Sequence, residues 1–312
     1  MAYPDVHSWR RWALIAGLAW QAATAAPVEP QRVADGVYFV QGEAELGSPA
    51  NRNFISNAGF VATPAGAVVI DALGSPALAQ ELLAAIARVT PQPVKVVVVT
   101  HWHADHIYGL QVFKAAGATI VGHRKALEYL NSDTAAQRLV ASRDELKLDA
   151  DTRLVGADRW IDADTVIELG GERFHLRHAG PAHTPEDLVV FAERSRALFS
   201  GDLVFRGRVP FVGMADSRSW IGALGRLIDL KPELVVPGHG PLSREPLADL
   251  ALTRDYLAYL RQTMGEAAQA MEPFDEAYRR TDWSRFEALP LFRAANRINA
   301  YNTYLLMEQQ GR

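Results

Sequence analysis

Runs of apolar residues broken by polar turns set out the elements of this chain. Val33–Val40, Phe54–Ala62 and Ala67–Asp71 read as strands, with Gly66 at the turn between the last two. Ala77–Ala87 carries apolar residues at helical spacing, and Ser75-Pro76 is a good start signal. Val94–Val99 is almost wholly β-branched, the signature of a strand buried on both faces. Further on, Val166–Leu169, Phe174–Ala179, Leu188–Ala192 and Ala197–Phe199 are strand candidates, and Gly170-Gly171 makes a hairpin turn. Trp220–Ile228 reads as a helix and Leu234–Val236 as a buried strand. From Glu245 onward the pattern is helical, with breaks around Pro273 and Pro290. The charged stretch between Leu139 and Asp158 reads as a loop. Alternating strands and helices, mixed with hairpins, predict two mixed sheets packed together with helices outside.

The amino terminus has another character. Arg10 and Arg11 precede an apolar run from Trp12 to Trp20, followed by small residues from Ala22 to Ala26 and then Pro27. This is the order of a cleaved export signal, and the run is shorter than the about 20 residues a bilayer span needs. The arginine pair loosely matches a twin-arginine signal. The expected division is an export signal at 1–26, a folded domain at 27–250 and a helical extension packed on it at 251–312. A periplasmic or secreted protein follows, without stable membrane insertion after cleavage.

Composition narrows the chemistry. The chain has no cysteine, so it has no thiolate metal ligand, no Cys nucleophile and no disulfide. A formal net charge of -4 gives no nucleic-acid footprint. A small-molecule substrate is the expected partner.

Thr100-His101-Trp102-His103-Ala104-Asp105-His106 places four potential metal ligands directly after a buried strand. His101 and His103 are two apart, so in extended chain they point the same way. Asp105 and His106 continue into the turn, where they can face a second cation. Three of the chain's nine histidines fall in this segment, which argues against a His-rich surface loop. His183, Asp202 and His239 each follow an apolar strand and have Gly or Pro nearby, as in loops that aim a side chain. Each is weak alone; together they form a specific constellation for borderline metals that accept imidazole and carboxylate.

The order H-x-H-x-D-H, then His, Gly-Asp and Gly-His-Gly resembles the metallo-β-lactamase superfamily from Val33 to about Pro241. The resemblance implies an α/β fold, the αββα sandwich, with C-terminal helices. It gives His101, His103 and His183 to a first metal, and Asp105, His106 and His239 to a second. Asp202 would bridge them, and Asp71, after Val68-Val69-Ile70, would support the metal loop. Asp202 stands where common lactamase branches carry Cys or Ser, so the chain is more similar to glyoxalase II-like branches. His101–Gly109 and the helix around Asn296–Tyr304 resemble exported SoxH-like, or quinoprotein relay system, zinc metallohydrolases.

Two zinc ions per chain are the implied cofactors. Metals about 3.5–4 Å apart share a hydroxide able to attack a carbonyl at neutral pH. Asp105 is the candidate catalytic carboxylate that orients it. A thioester, lactone or related ester is the implied substrate, with a β-lactamase and a mononuclear-iron persulfide dioxygenase as alternatives. Tyr108 lies just past the metal loop, either within reach of an oxyanion or in the core. Phe205, Phe211 and Met214 suit an apolar rim or packing, and Arg206 and Arg208 suit an anion or solvent. His123, His175 and His178 read as ordinary histidines.

Overall fold

The computed structural model describes residues 26–213 and 215–310. The export segment, apart from Ala26, and Met214 lie outside the described residues. Strands β1 (Gln31–Ala34), β2 (Val37–Val40), β3 (Ala58–Thr63), β4 (Gly66–Ile70), β5 (Val94–Val98), β6 (Thr119–His123) and β7 (Arg159–Ile161) form one sheet in that order. Strands β8 (Thr165–Leu169), β9 (Glu172–His178), β10 (Leu188–Ala192), β11 (Ala197–Phe205) and β12 (Leu234–His239) form the second, in reverse order.

Side chains of both sheets meet in a central layer that includes Phe39, Val98, Phe174, Val190, Phe199 and Val236. On the outer face of the first sheet lie α1 (Pro76–Val89), α2 (Ala104–Ile107), α3 (Leu110–Ala115), α4 (Ala126–Leu130) and α5 (Asp133–Leu146). The second sheet carries α6 (Ser217–Asp229), α7 (Pro246–Gln269), α8 (Phe274–Arg280) and α9 (Phe292–Gln310). Separate apolar clusters fill the helix–sheet layers on each side, so the architecture is the expected αββα sandwich.

Strand β5 shows how this order follows from sequence. Successive residues alternate in direction, so Val97 and Val99 pack under the helices while Val98 enters the layer between sheets. Each buried valine of this kind contributes about 1.5–3 kcal/mol. Lys95 at the strand's start stays exposed, so burial is complete only towards the end that carries the metal loop. Ser75 caps α1 by accepting from Leu78 N, as the sequence signal requires.

Some expectations shift. Val33–Val40 is a hairpin, β1 and β2, because Gly36 takes a positive φ of 68° that turns the chain. The run starting at Phe54 becomes a strand only at Ala58, because Ser56 and Asn57 bond instead to carbonyls of α2 and β12. Helix α5 runs into the first part of the stretch expected to be a loop, and the run from Ala197 extends through Asp202 to Phe205. Strands β6 and β7 had no place in the sequence pattern. Among the described residues, no helix is long and apolar enough to cross a membrane.

Candidate metal centre

The loop from β5 and the ends of the second sheet converge at one edge of the sandwich. His101 and His103 leave β5 in extended chain, and His103 is the residue before α2. His183 comes from the loop after β9, and its Nε2 lies 3.0 Å from His103 Nδ1. Asp202, inside β11 rather than on a loop, sets its Oδ2 3.7 Å from His101 Nε2 and 3.4 Å from His183 Nε2. Asp105 and His106 turn away on α2, where they meet His239, the last residue of β12. Asp105 Oδ2 stands 3.6 Å from His106 Nε2 and 3.3 Å from His239 Nε2.

Two groups result: His101, His103, His183 and Asp202, and Asp105, His106 and His239. Within each, the ligand atoms lie within 4.8 Å of one another. Asp202 also reaches the second group, with Oδ1 3.2 Å from His106 Nε2 and Oδ2 3.3 Å from His239 Nε2. All seven residues suit a dinuclear metal site with Asp202 between its halves.

The hydrogen bonds agree with metal ligation. His101 Nε2, His106 Nε2 and Asp202 Oδ1 are buried without a hydrogen-bond partner, a costly arrangement unless a cation fills the space between them. The second ring nitrogens of His101, His106 and His239 are held from behind. His106 Nδ1 donates to Asp71 Oδ2 at 2.9 Å, and His239 Nδ1 to the Ile55 carbonyl at 2.7 Å. His101 Nδ1 is 3.0 Å from Thr100 Oγ1, which itself donates to Asp71 Oδ2 at 2.8 Å. Such partners fix tautomer and ring orientation. Asp71 thus takes the supporting place that the resemblance implied.

Gly238 is required here for space. A Cβ at this position would fall on Asp202 Oδ1 and the backbone of Gly201. Asn57 locks the same corner by donating from Nδ2 to the carbonyls of Pro237 and Gly240, 2.8 Å each. Ser56 donates to the Asp105 carbonyl. The sequence reading missed both; the polar pair inside an apolar run was the signal available.

Charge divides the two groups. Burial pushes the His101 imidazole well below its ordinary range, lowers His103 and takes His183 down to about 3. These imidazoles are neutral, as ligation needs. Burial also opposes charge on His106 and His239, but Asp202, with Asp105 beside it, raises both. Burial works against the Asp202 carboxylate as well, yet His239, His106 and His101 hold it well below the usual range. Asp105 is likewise lowered, against its own burial, by His106 and His239.

A cavity of about 550 Å³ opens over the cluster. His103, Asp105, Asp202 and His239 lie in its floor, with Leu46, Ile55, Leu146 and Phe211 among its walls. Asp105, with 16% of its side chain exposed, is the more accessible of the two carboxylates. Tyr108 does not line the cavity, so of the two places the sequence left open it takes the core and not the substrate side. It sits at the end of α2, is 1% exposed and packs in the first sheet's apolar cluster. Its hydroxyl points at Ser142 Oγ, 3.4 Å away.

Arg206 is spent on Asp249, 2.6 Å away, whereas Arg208 is buried and lines the cavity. Phe205 is both packed and part of the cavity floor, against the ring of His239. Outside the centre, His123 and His178 stack on each other and His175 pairs with Glu193.

The metallo-beta-lactamase superfamily model matches residues 51–239, more than half of the chain. A linear primary-alkylsulfatase from Pseudomonas sp. is 26% identical over 240 residues, covering 64% of this chain and 45% of that protein. The hydroxyacylglutathione hydrolase GloC of Haemophilus influenzae is 27% identical over 153 residues, covering 47% of this chain and 69% of that protein. This chain spans about half the length of the first of its curated relatives. Among solved structures, a metallo-beta-lactamase from Pontibacter korlensis aligns with a TM-score of 0.58 at 27% identity, over 74% of this chain and 98% of that one. With its ligand order, sandwich and family match in agreement, the chain belongs to the metallo-beta-lactamase superfamily.

Proposed function

We propose that this chain is a two-zinc hydrolase of thioesters, lactones or related esters, akin to glyoxalase II. The carrying observation is the Asp202 carboxylate, which stands within 3.7 Å of ligand atoms in both groups. A bound metal pair supplies an activated water and Lewis acidity. His101, His103 and His183 would hold the first metal, Asp105, His106 and His239 the second, and Asp202 would be shared by the two. The Asp105 carboxylate, kept ionised and facing the cavity, would help to orient the attacking water.

Similarity to a hydroxyacylglutathione hydrolase supports the thioester reading, as do Asp202 and the lack of cysteine. The loop His101–Gly109 supports membership of the exported SoxH-like group, and residues 1–26 support a periplasmic or secreted location. A single-iron dioxygenase needs neither His106 nor His239, and both are gathered into the second group.

Metal analysis of the purified protein, followed by initial rates on a thioester, a lactone and nitrocefin, tests this reading. Two zinc per chain, with the thioester or lactone ahead, is the expected result. One iron and no zinc overturns it in favour of an oxidoreductase. Nitrocefin ahead by orders of magnitude makes the protein a β-lactamase.

A further inference from the structure

The backbone of Ala26 is gripped from two sides. Its N–H donates to Glu43 Oε1 at 3.2 Å, and its carbonyl accepts from Arg52 Nη2 at 2.9 Å. Arg52 is paired with Glu81 of α1, so its charge is already balanced. Glu43 differs: among the described residues it forms no ion pair, and Ala26 N is the donor at its carboxylate. A cavity of about 540 Å³ opens beside this contact, lined by Ala26, Gln31, Gln41, Glu43 and Glu45 among others. There is room here for a charged group at Ala26 N.

Glu43 and Arg52 stand near the two ends of the loop between β2 and β3. Glu43 N donates to the Phe54 carbonyl at 2.8 Å and closes the neck of that loop. Beyond the neck, Glu45, Leu46 and Gly47 form one wall of the cavity over the metal centre. Leu46 is 59% exposed, so the tip of the wall has little packing of its own. Val28 is buried in the first sheet's apolar cluster and holds Ala26 at the neck.

The sequence marks the same place for cutting. Ala23-Thr24-Ala25 is an A-x-A signal. A cut after Ala26, the boundary expected from the sequence, would put Pro27 at the scissile nitrogen, where the ring fixes φ and restricts the residue before it. A cut one residue earlier leaves Ala26 first. We propose that an export signal peptidase cuts the Ala25–Ala26 bond and that Glu43 binds the new α-ammonium, clasping the loop that walls the cavity. The C–N bond breaks; the oxygen of water completes a carboxylate on Ala25, and its two protons complete an ammonium on Ala26. The bond to Glu43 thereby becomes charge-assisted, about twice as strong as a neutral one. The proposal rests on the export reading of residues 1–26 and is independent of the ester reading.

Sequencing of the exported protein should find Ala26 first. A start at Pro27 or later, or retention of residues 1–25, overturns the proposal. Metal-loaded protein with a free Ala26, made by scarless removal of a fusion, is then compared with the same protein acetylated there. Acetylation restores a neutral amide and should speed hydrogen exchange over residues 43–54 by about 1.5–5-fold, the range of a partly exposed ion pair. Glu43→Gln should do the same to the free form and add nothing to the acetylated one. The α-amino group should titrate above its ordinary value of about 7.7–8.0 and return to it in Glu43→Gln. Glu45 in the recess, and Arg52 with Glu81 on the carbonyl side, are the same in every form compared. Equal exchange in free and acetylated protein overturns the clasp, even if Glu43→Gln fails to fold. An effect of acetylation that persists in Glu43→Gln overturns Glu43 as the receptor.

Discussion

The two halves of the metal centre are built from the same residue types and behave differently. In the first, burial drives His101, His103 and His183 towards the neutral form. In the second, carboxylates surround His106 and His239 and favour the proton. Asp71 sits behind both, bonded directly to His106 and through Thr100 to His101. Burial in one half and neighbouring carboxylates in the other, and not ligand identity, therefore set these opposite shifts. The first half is ready for metal, whereas metal must displace protons from the second.

Removing the residue that the halves share should have the largest effect. Asp202→Ala takes away a carboxylate that lies near His101, His183, His106 and His239 alike. Hydrolysis should fall by more than the roughly 10–100-fold that loss of an outer-shell partner costs. Metal content should drop below two per chain, the second metal suffering at least as much as the first. Elemental analysis and initial rates on one preparation check this. Full occupancy with near-normal rates would show that Asp202 is not shared.

Much of this comparison could be seen in the sequence. His101 through His106 follow a run of valines, and the two-residue spacing of His101 and His103 survives into the structure because the chain there is extended. Helices α1, α6 and those after Glu245, with most strands, followed from periodicity, whereas α3 to α5 did not. What could not be read was anything set by neighbours distant in sequence. Arg206 and Arg208 look alike as loop arginines, and only Asp249 beside one and an open cavity beside the other separate them. Tyr108 adjoins the metal loop in sequence, yet the helical turn carries its ring into the core. Short strands such as β7, three residues long, carry too little pattern to be seen.

Acid should separate the halves. The raised values of His106 and His239 in the metal-free protein mean that protons return to them at higher pH than to a free imidazole, near 6.5. The lowered values of His101, His103 and His183 mean the reverse. On dialysis of zinc-loaded protein from pH 8 to pH 5, the second metal should leave first, leaving a one-metal plateau. Simultaneous loss of both would erase the distinction between the halves.

The smallest effect is expected from Thr100→Val, which acts on one half alone. The substitution keeps shape and removes only the hydroxyl. The bond from Thr100 N to Asp71 Oδ1 remains, and so does Asp71 with His106 at 2.9 Å. Lost are the donation to Asp71 Oδ2 and the contact that orients His101 Nδ1. An imidazole without its rear acceptor binds metal less well, and a single neutral hydroxyl belongs at the weak end of that range, about tenfold. The unpaired ring N–H should also destabilise the fold by about 1–3 kcal/mol. Competition with a chromophoric chelator resolves the two zinc affinities. A tenfold fall at the tighter site, with the weaker one unmoved, would show that the halves are tuned separately. An equal fall at both would mean that Asp71 and Thr100 act as one unit behind the whole centre.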